Sequence, residues 1–457
     1  MTAGAETCDT AIIGAGSIGI AVAYYLAIRH GVTRLVLIDA ADPMALTSAQ
    51  SGENYRNWWP HPVMTAYTDH SIELLEDIAR ASGDRIHMTR RGYVLATRRA
   101  APRDLMDGLH RGYGAQAGTG LRFHDSLRGG TYRPPLASDW RTAPDGVDVL
   151  TDRGLIGTHF PSFSPEIATI IHIRRAGDIS GQQLGQFMLE AVRAHGGRLR
   201  RGRVSAIESG AGFRLQVEGP DGQTSIRADR VVNAAGPFIG RIAAMLGEAL
   251  PISNVYQQKI ALEDREAAIP RAMPFSIDLD GQTLAWTEEE RGLLAANSET
   301  AALLEPMPGG IHCRPEGGDG GRWIKIGWAY NQSSSDPEAE PPLGPHYPDI
   351  VLRAASRLNP SLRAYLGRLP RGARHYGGHY TMTAENWPLI GPMRTPGAFI
   401  AGALSGFGTM AACSTGALCA AWIAGSDLPA YAHALSPGRY ADDALMAGLR
   451  AADRGIL

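Results

Sequence analysis

Gly14, Gly16 and Gly19 form a GxGxxG run directly after the apolar stretch "TAII", and Asp39 stands 20 residues beyond the last of them, at the end of "RLVLID". Glycines so spaced let a backbone approach a pyrophosphate at a helix N-terminus, where open N–H groups and the helix dipole favour anions. A carboxylate ending the next strand accepts hydrogen bonds from a ribose. The glycine turn alone is common among α/β proteins, whereas strand, turn, helix and acid together specify a dinucleotide, either NAD or FAD. Ser17 sits in the same turn, and "AGSIG" imitates a hydrolase nucleophile elbow. That chemistry needs an ordered acid and histidine downstream, and a ribose already explains Asp39. Lys325, in "RWIKIGWAY", is one of only two lysines. Alternation places it on one face with Trp323 and sets Ile324, Ile326 and Trp328 on the other, so its ammonium faces water on an edge strand or enters a site. His375 and His379 are four apart, a metal-binding spacing on a helix, but Gly377 and Gly378 between them make the segment extended.

The elements that must position these groups alternate. "CDTAIIGAGSIGIAVAYYLAIRHGVTRLVLIDA" reads as a βαβ unit, and a helix is expected near 64–82. "SGQQLGQFMLEAVRAHGG" is helical, and "RVVNAAGPFIG" is a buried strand meeting a glycine turn, with Ala235 and Gly236 at the turn. The stretch 397–425 lacks charge and is long enough to span a bilayer. Gly402, Gly406 and Gly408 divide it into a short strand, a tight turn and a helix from about Thr409, the pattern of a buried strand-to-helix unit. The segment 101–160 has weak periodicity and no assigned role. The segment 251–375 is polar and punctuated by Pro and Gly; "EGGDGGR" and "NQSSSDPEAEPPLGP" read as surface loops, and 278–309 has no assigned role.

With 457 residues, 44% of them apolar, the chain can bury more than one domain core. Lys and Arg number 44 against 46 Asp and Glu, without a basic block, so neither nucleic acid nor a membrane surface is an expected partner; a small molecule is. Cys8, Cys313, Cys413 and Cys419 show no CxxC or zinc spacing, which fits a reducing compartment. The first strand begins by Cys8 or Asp9 with no charged-then-apolar leader ahead of it, so a cytoplasmic location is expected.

"DTAIIGAGSIGIAVAYYLA", "TSAQSGENYR", "RRGYVLAT", "RVVNAAGPFIG", "GHYTMTAENWPLIG" and "GALSGFGTM" stand in an order that resembles the FAD-dependent D-amino acid oxidase superfamily, most of all its glycine oxidase and monomeric sarcosine oxidase branch. The resemblance implies an α/β fold: a Rossmann-like FAD-binding domain from 1–88, 172–250 and 376–457, and an α+β substrate domain on an antiparallel-rich sheet from 89–171 and 251–375. It assigns Gly14, Gly16, Gly19 and Asp39 to the ADP half of FAD, and Ser17, Ala235 and Gly236 to the cofactor-binding set. Ser48, Ser51, Gly52 and Arg56 would run along the pyrophosphate to the flavin, which Gly402, Ser405, Gly406, Gly408 and Thr409 would meet from the C-terminal helix. Lys325 matches the lysine that promotes reaction with oxygen, and Tyr380, Arg56 and His379 complete the implied catalytic set.

The sequence also departs from that branch. Gly378 stands where sarcosine oxidases attach FAD through cysteine, so a non-covalent FAD is expected. Met410 replaces the lysine that binds the substrate carboxylate, and Phe407 replaces the histidine of the preceding turn. A buried carboxylate without a cation costs several kcal/mol, so sarcosine and glycine are expected to be poor substrates. Tyr55, Trp58, Trp59 and Phe407 suggest a wide aromatic pocket, with Arg56 or His379 as the anchor for an acid. The expected reaction is oxidation of a C–N bond in a secondary amine or amino acid, giving an imine and, with molecular oxygen, hydrogen peroxide. The competing readings are a dehydrogenase with another acceptor, a flavin-dependent hydroxylase and a non-catalytic flavoprotein.

Overall fold

The computed structural model describes residues 6–114, 120–127, 131–135, 140–298, 300–318, 320–452 and 455. Strand Glu6–Ile13 is the centre of the first sheet. It pairs in parallel with Leu35–Asp39 on one side and Gly222–Asn233 on the other, while Arg198–Arg201 extends the parallel edge. Ala398–Gly402 also joins Gly222–Asn233 in parallel, and strands Arg203–Gly210 and Gly212–Gly219 add an antiparallel meander. Such strands, buried on both faces, are near-continuous runs of Ile, Val, Leu and Ala.

Helices Ser17–His30 and Gly408–Ala424 pack against each other on this sheet. A Cβ on Gly416 would lie 2.5 Å from the Ala21 carbonyl carbon, so small residues set how closely the helices approach. The charge-free stretch is therefore a buried strand, turn and helix, and among the described residues no helix is long and apolar enough to cross a membrane. The expected helices near 64–82 and after Ser180 are Pro62–Ala81 and Gly181–Ala194, the latter capped by the Ser180 hydroxyl.

The second sheet has nine strands, antiparallel except where Tyr93–Thr97 meets Phe275–Asp278 and Leu121–His124 meets Val147–Leu150. Its order runs from Arg374–Thr383 through Ile252–Glu263, Trp323–Gly327 and Ile311–Glu316 to Phe275–Asp278, Tyr93–Thr97, Thr169–Ile173 and the final pair. Much of the polar segment 251–375 is thus sheet: its alternation buries Ile260, Leu262, Ile324 and Ile326 under helix Tyr347–Leu358 and turns the polar residues toward the first domain. Residues 376–383 belong to this second sheet, because Ile252–Glu263 supplies a ten-position pairing partner that the first sheet lacks there. In 101–160, positions 115–119, 128–130 and 136–139 lie outside the described residues; the rest contains helix Arg103–Tyr113, two strands and helix Arg153–His159.

Candidate active site

A trough runs between the two sheets in three connected cavities. The largest, about 390 Å³, is lined by Gly14, Gly16, Ser17, Asp39, Ser48, Ala235 and Gly236 among others. Gly14 has φ of +110°, and a Cβ there would lie 2.2 Å from the Ala234 carbonyl oxygen. Gly19 does not line the cavity; its added Cβ would lie 1.9 Å from the Gly14 oxygen, so this glycine seats the helix on the turn. Asp39 accepts the Ala15 N–H at 2.6 Å and the Ala41 N–H at 2.8 Å, which fixes its carboxylate at the cavity wall. The Ser48 hydroxyl accepts the Ser17 N–H at 3.1 Å, so Ser17 is held by Ser48 and not by a triad. Val204 and Arg203, after the edge strand, and Arg241 also line this cavity. The sequence reading did not single these out, since no motif marks them.

The second cavity continues past Ser51 to Gly402, Ser405, Gly406, Gly408 and Thr409. Ser405 has φ of +47°, and its buried hydroxyl has no hydrogen-bond partner among the described residues. A Cβ on Gly406 would lie 2.6 Å from the Tyr380 ring, so the turn and Tyr380 pack edge to edge. The long trough, the Gly14–Gly19 cradle, the Asp39 carboxylate and the unused Ser405 hydroxyl fit an extended dinucleotide whose ring system ends at the second sheet.

The third cavity, about 50 Å³, opens beyond that end and includes Gly52, Arg56, Tyr93, Phe275, Phe407 and Met410. Arg56 is buried, its guanidinium 4.7 Å from the Tyr93 ring centroid and 5.4 Å from that of Trp59. The Arg56 N–H donates to Met410 Sδ at 3.1 Å. Phe407 and Met410 form cavity wall, as their replacement pattern suggested. Tyr55, Trp58 and Trp59 do not: they are core, with Trp59 edge-on to Phe407 at 5.0 Å. His379 lines the second cavity, where its Nε2 pairs with the Ser335 hydroxyl at 2.7 Å; burial lowers its pKa.

The structure places the two lysines differently from the sequence expectation. Lys325 lines none of the three cavities; its ammonium pairs with Glu53 at 2.9 Å and Glu316 at 3.0 Å. Arg314 joins the same acids, and its Nε donates to the Gly52 carbonyl at 3.0 Å, so this network pins the Ser51–Arg56 loop. Lys259, from "VYQQKIALE", lines both the second and third cavities. Its ammonium donates to the Gln50 carbonyl at 3.1 Å and lies 5.8 Å from the Tyr380 ring centroid. Burial, then the nearby Lys325 and Arg314 charges, lower its pKa to about 8. Lysine scarcity pointed to both residues equally; Lys259 has the same alternation but no matching local motif. Among the described residues no cluster could hold a metal ion, and His375 and His379 lie on an extended strand.

A two-domain α/β protein with a glycine-cradled dinucleotide trough ending in a cationic pocket is the class this geometry defines. Residues 9–422 match the FAD dependent oxidoreductase family, and the chain belongs to it; its cofactor is FAD. Among curated proteins none matches the sequence. Among solved structures, L-proline dehydrogenase from P. horikoshii is similar with a TM-score of 0.71 at 17% identity, covering 96% of this chain and 99% of that one. Glycine oxidase from Geobacillus kaustophilus gives 0.69 at 17%, covering 94% and 99%. Iminodiacetate oxidase from Chelativorans sp. BNC1 gives 0.64 at 18%, covering 94% and 98%. At these identities the likeness is one of fold, and it agrees with the α/β architecture and the family read from the motifs.

Proposed function

We propose that the protein oxidises a C–N bond in a secondary amine or amino acid to an imine and passes the electrons to molecular oxygen, giving hydrogen peroxide. The observation that carries this reading is Lys259, a buried ammonium shared by the cavity for the ring end of the dinucleotide and the pocket beyond it. FAD, when bound, supplies the two-electron oxidation. Residues of the chain do the rest. Ser51, Gly406 and Thr409 would hold the ring end, and the Lys259 charge favours the anion that forms when oxygen first accepts an electron. Tyr93, Phe275, Phe407 and Met410 exclude water from the pocket and restrict its width. Arg56 places a positive charge on the pocket wall where an acidic group of the substrate would meet it, from a direction other than position 410.

The reading is supported by the family and by amine-type neighbours of both oxidase and dehydrogenase kinds. Its test is anaerobic mixing of the FAD-loaded protein with a panel of secondary amines and amino acids, followed by oxygen. Rapid bleaching by at least one amine of the panel, slow bleaching by sarcosine and glycine, and rapid reoxidation with peroxide formation are expected. Bleaching with sluggish reoxidation makes the protein a dehydrogenase. Bleaching only by NAD(P)H makes it a hydroxylase, and no bleaching at all leaves a non-catalytic flavoprotein.

A further inference from the structure

Lys259, Gly327 and His312 form one cross-strand row: Gly327 pairs with Lys259 on one side and with His312 on the other. Residues directly opposite one another share a sheet face. A Cβ on Gly327 would lie 2.5 Å from His312 Nε2 and 3.0 Å from Lys259 Cγ, so the glycine makes the gap over which the imidazole and the lysine stem converge. Like Lys259, His312 lines the third cavity.

The chemistry of the ring follows from its contacts. His312 Nδ1 lies 3.1 Å from the Gly310 carbonyl oxygen, which can only accept, so Nδ1 carries the proton. A neutral imidazole then presents a bare lone pair at Nε2. Neutrality is enforced by burial and by the Lys259 charge, which together lower the pKa to about 4. The ring packs against Phe275 with centroids 5.0 Å apart, and Nε2 has no hydrogen-bond partner among the described residues.

The other charges at this cavity are Lys259, Arg56 and Glu53. Glu53 is committed to Lys325 and to the Gly181 N–H. An incoming ammonium meets two cations and no available carboxylate, whereas an uncharged amine meets an acceptor. We infer that His312 Nε2 accepts a hydrogen bond from the N–H of the uncharged substrate amine, so that the pocket selects primary and secondary amines over tertiary ones. The inference rests on the amine-oxidation reading and adds to it a substrate-contacting residue and a substrate class. The ammonium loses its proton to water before entry; His312 takes no proton, and no bond is made or broken at it. The hydrogen bond holds nitrogen in place and leaves its lone pair directed elsewhere.

The test compares N-methyl and N,N-dimethyl forms of one amine in anaerobic reduction of the FAD-loaded enzyme. Wild type is expected to favour the secondary amine by about tenfold or more, the worth of one good hydrogen bond in a dry site. His312→Phe should bring the ratio to within about threefold, chiefly by weakening binding of the secondary amine. His312→Gln, whose amide oxygen can accept, should restore part of it. Histidine ¹⁵N NMR, with the His312 signal assigned by its loss in His312→Gln, should show the Nδ1–H tautomer and no protonation from pH 8 down to about 5.5, above the pKa of about 4. An unchanged ratio in His312→Phe, or an Nε2–H tautomer, overturns the inference while leaving amine oxidation intact. Wild-type flavin that neither amine bleaches overturns amine oxidation itself, and the inference falls with it.

Discussion

Lys259 and Lys325 project from the same face of the second sheet, two cross-strand positions apart, with Gly327 opposite Lys259 and Ala261 opposite Lys325. The short separation divides their roles. Lys325 sits between two carboxylates, which cancel its charge, while Lys259 reaches the cavities with a carbonyl as its hydrogen-bond partner. A unit charge about 4 Å from a forming anion, at an effective dielectric near 20, is worth roughly 4 kcal/mol, or roughly three powers of ten in rate as an upper bound. Lys259→Met is therefore expected to slow reoxidation by oxygen by about two to three powers of ten and anaerobic reduction much less. Stopped-flow measurement of the two half-reactions checks this; equal slowing of both would make Lys259 a residue that orders the pocket.

The same lysine predicts a pH dependence. Burial and the neighbouring cations lower its pKa to about 8, so the charge that favours oxygen reduction is lost as pH rises through that value. The oxygen rate constant should fall across about pH 8 in wild type and stay flat in Lys259→Met. Stability moves in the opposite sense. Because the unfolded chain holds this proton up to about 10.4, it binds more protons than the folded protein between the two values, and stability rises with pH across that window. Below about pH 8 the buried charge is a full liability, so Lys259→Met should raise the melting temperature of the apoprotein at pH 7, with the gain shrinking by pH 10.

Lys325 is expected to matter for structure. Lys325→Met leaves Glu53 and Glu316 with Arg314 as their remaining cation, and Glu53 holds a left-handed backbone at φ of +60° in the loop that borders the pocket. Breaking a buried pair from one side costs about 3–5 kcal/mol; with Lys325 19% exposed and Glu53 16% exposed, about 2 kcal/mol is the appropriate expectation after solvent screening. Thermal unfolding should show a drop of about 2 °C, the size expected for a chain of this length, and Lys325→Met/Glu53→Gln should recover part of it. An unchanged melting temperature would show that the network does not hold the loop.

How much of this was legible in the sequence follows from the range of the interactions. The ADP half was local: Gly14, Gly16 and Asp39 act through one βαβ unit whose spacing fixes its geometry. The C-terminal turn was legible for the same reason, with Gly402 to Thr409 contiguous. Lys259 and His312 were not, because their meaning lies in a register spanning three strands, with Gly327 as the shared partner. Individual strands in 251–375 were not legible, because Pro and Gly interrupt runs that long-range pairing still completes. Tyr55, Trp58 and Trp59 were read as pocket because large aromatics suit both pocket and core, and only packing decides between them.

The last expectation concerns how FAD is retained. Gly378 offers no side chain for attachment, so acid precipitation should release the FAD, and retention in the native protein is a matter of rates. Arg203 and Arg241, both on the wall of the ADP cavity, are bridged by Glu338 from the loop that follows Asn331. That loop is also tied at Ser335, whose N–H donates to the Asn254 carbonyl at 2.8 Å and whose hydroxyl pairs with His379. Glu338 and both arginines are about half exposed, so the pairs are weak; exposed ion pairs contribute at most about 1 kcal/mol and are screened by salt. Glu338→Gln is accordingly expected to speed FAD dissociation by about threefold at low ionic strength, an effect that should vanish near 0.5 M salt, roughly where the screening length falls to about 4 Å. Adding Ser335→Ala removes the hydroxyl contact with His379, leaves the backbone bond to Asn254 in place, and should give a larger, salt-insensitive increase. Flavin fluorescence recovery after dilution measures both rates; identical rates for wild type and the double variant would show that this loop does not control the cofactor's exit.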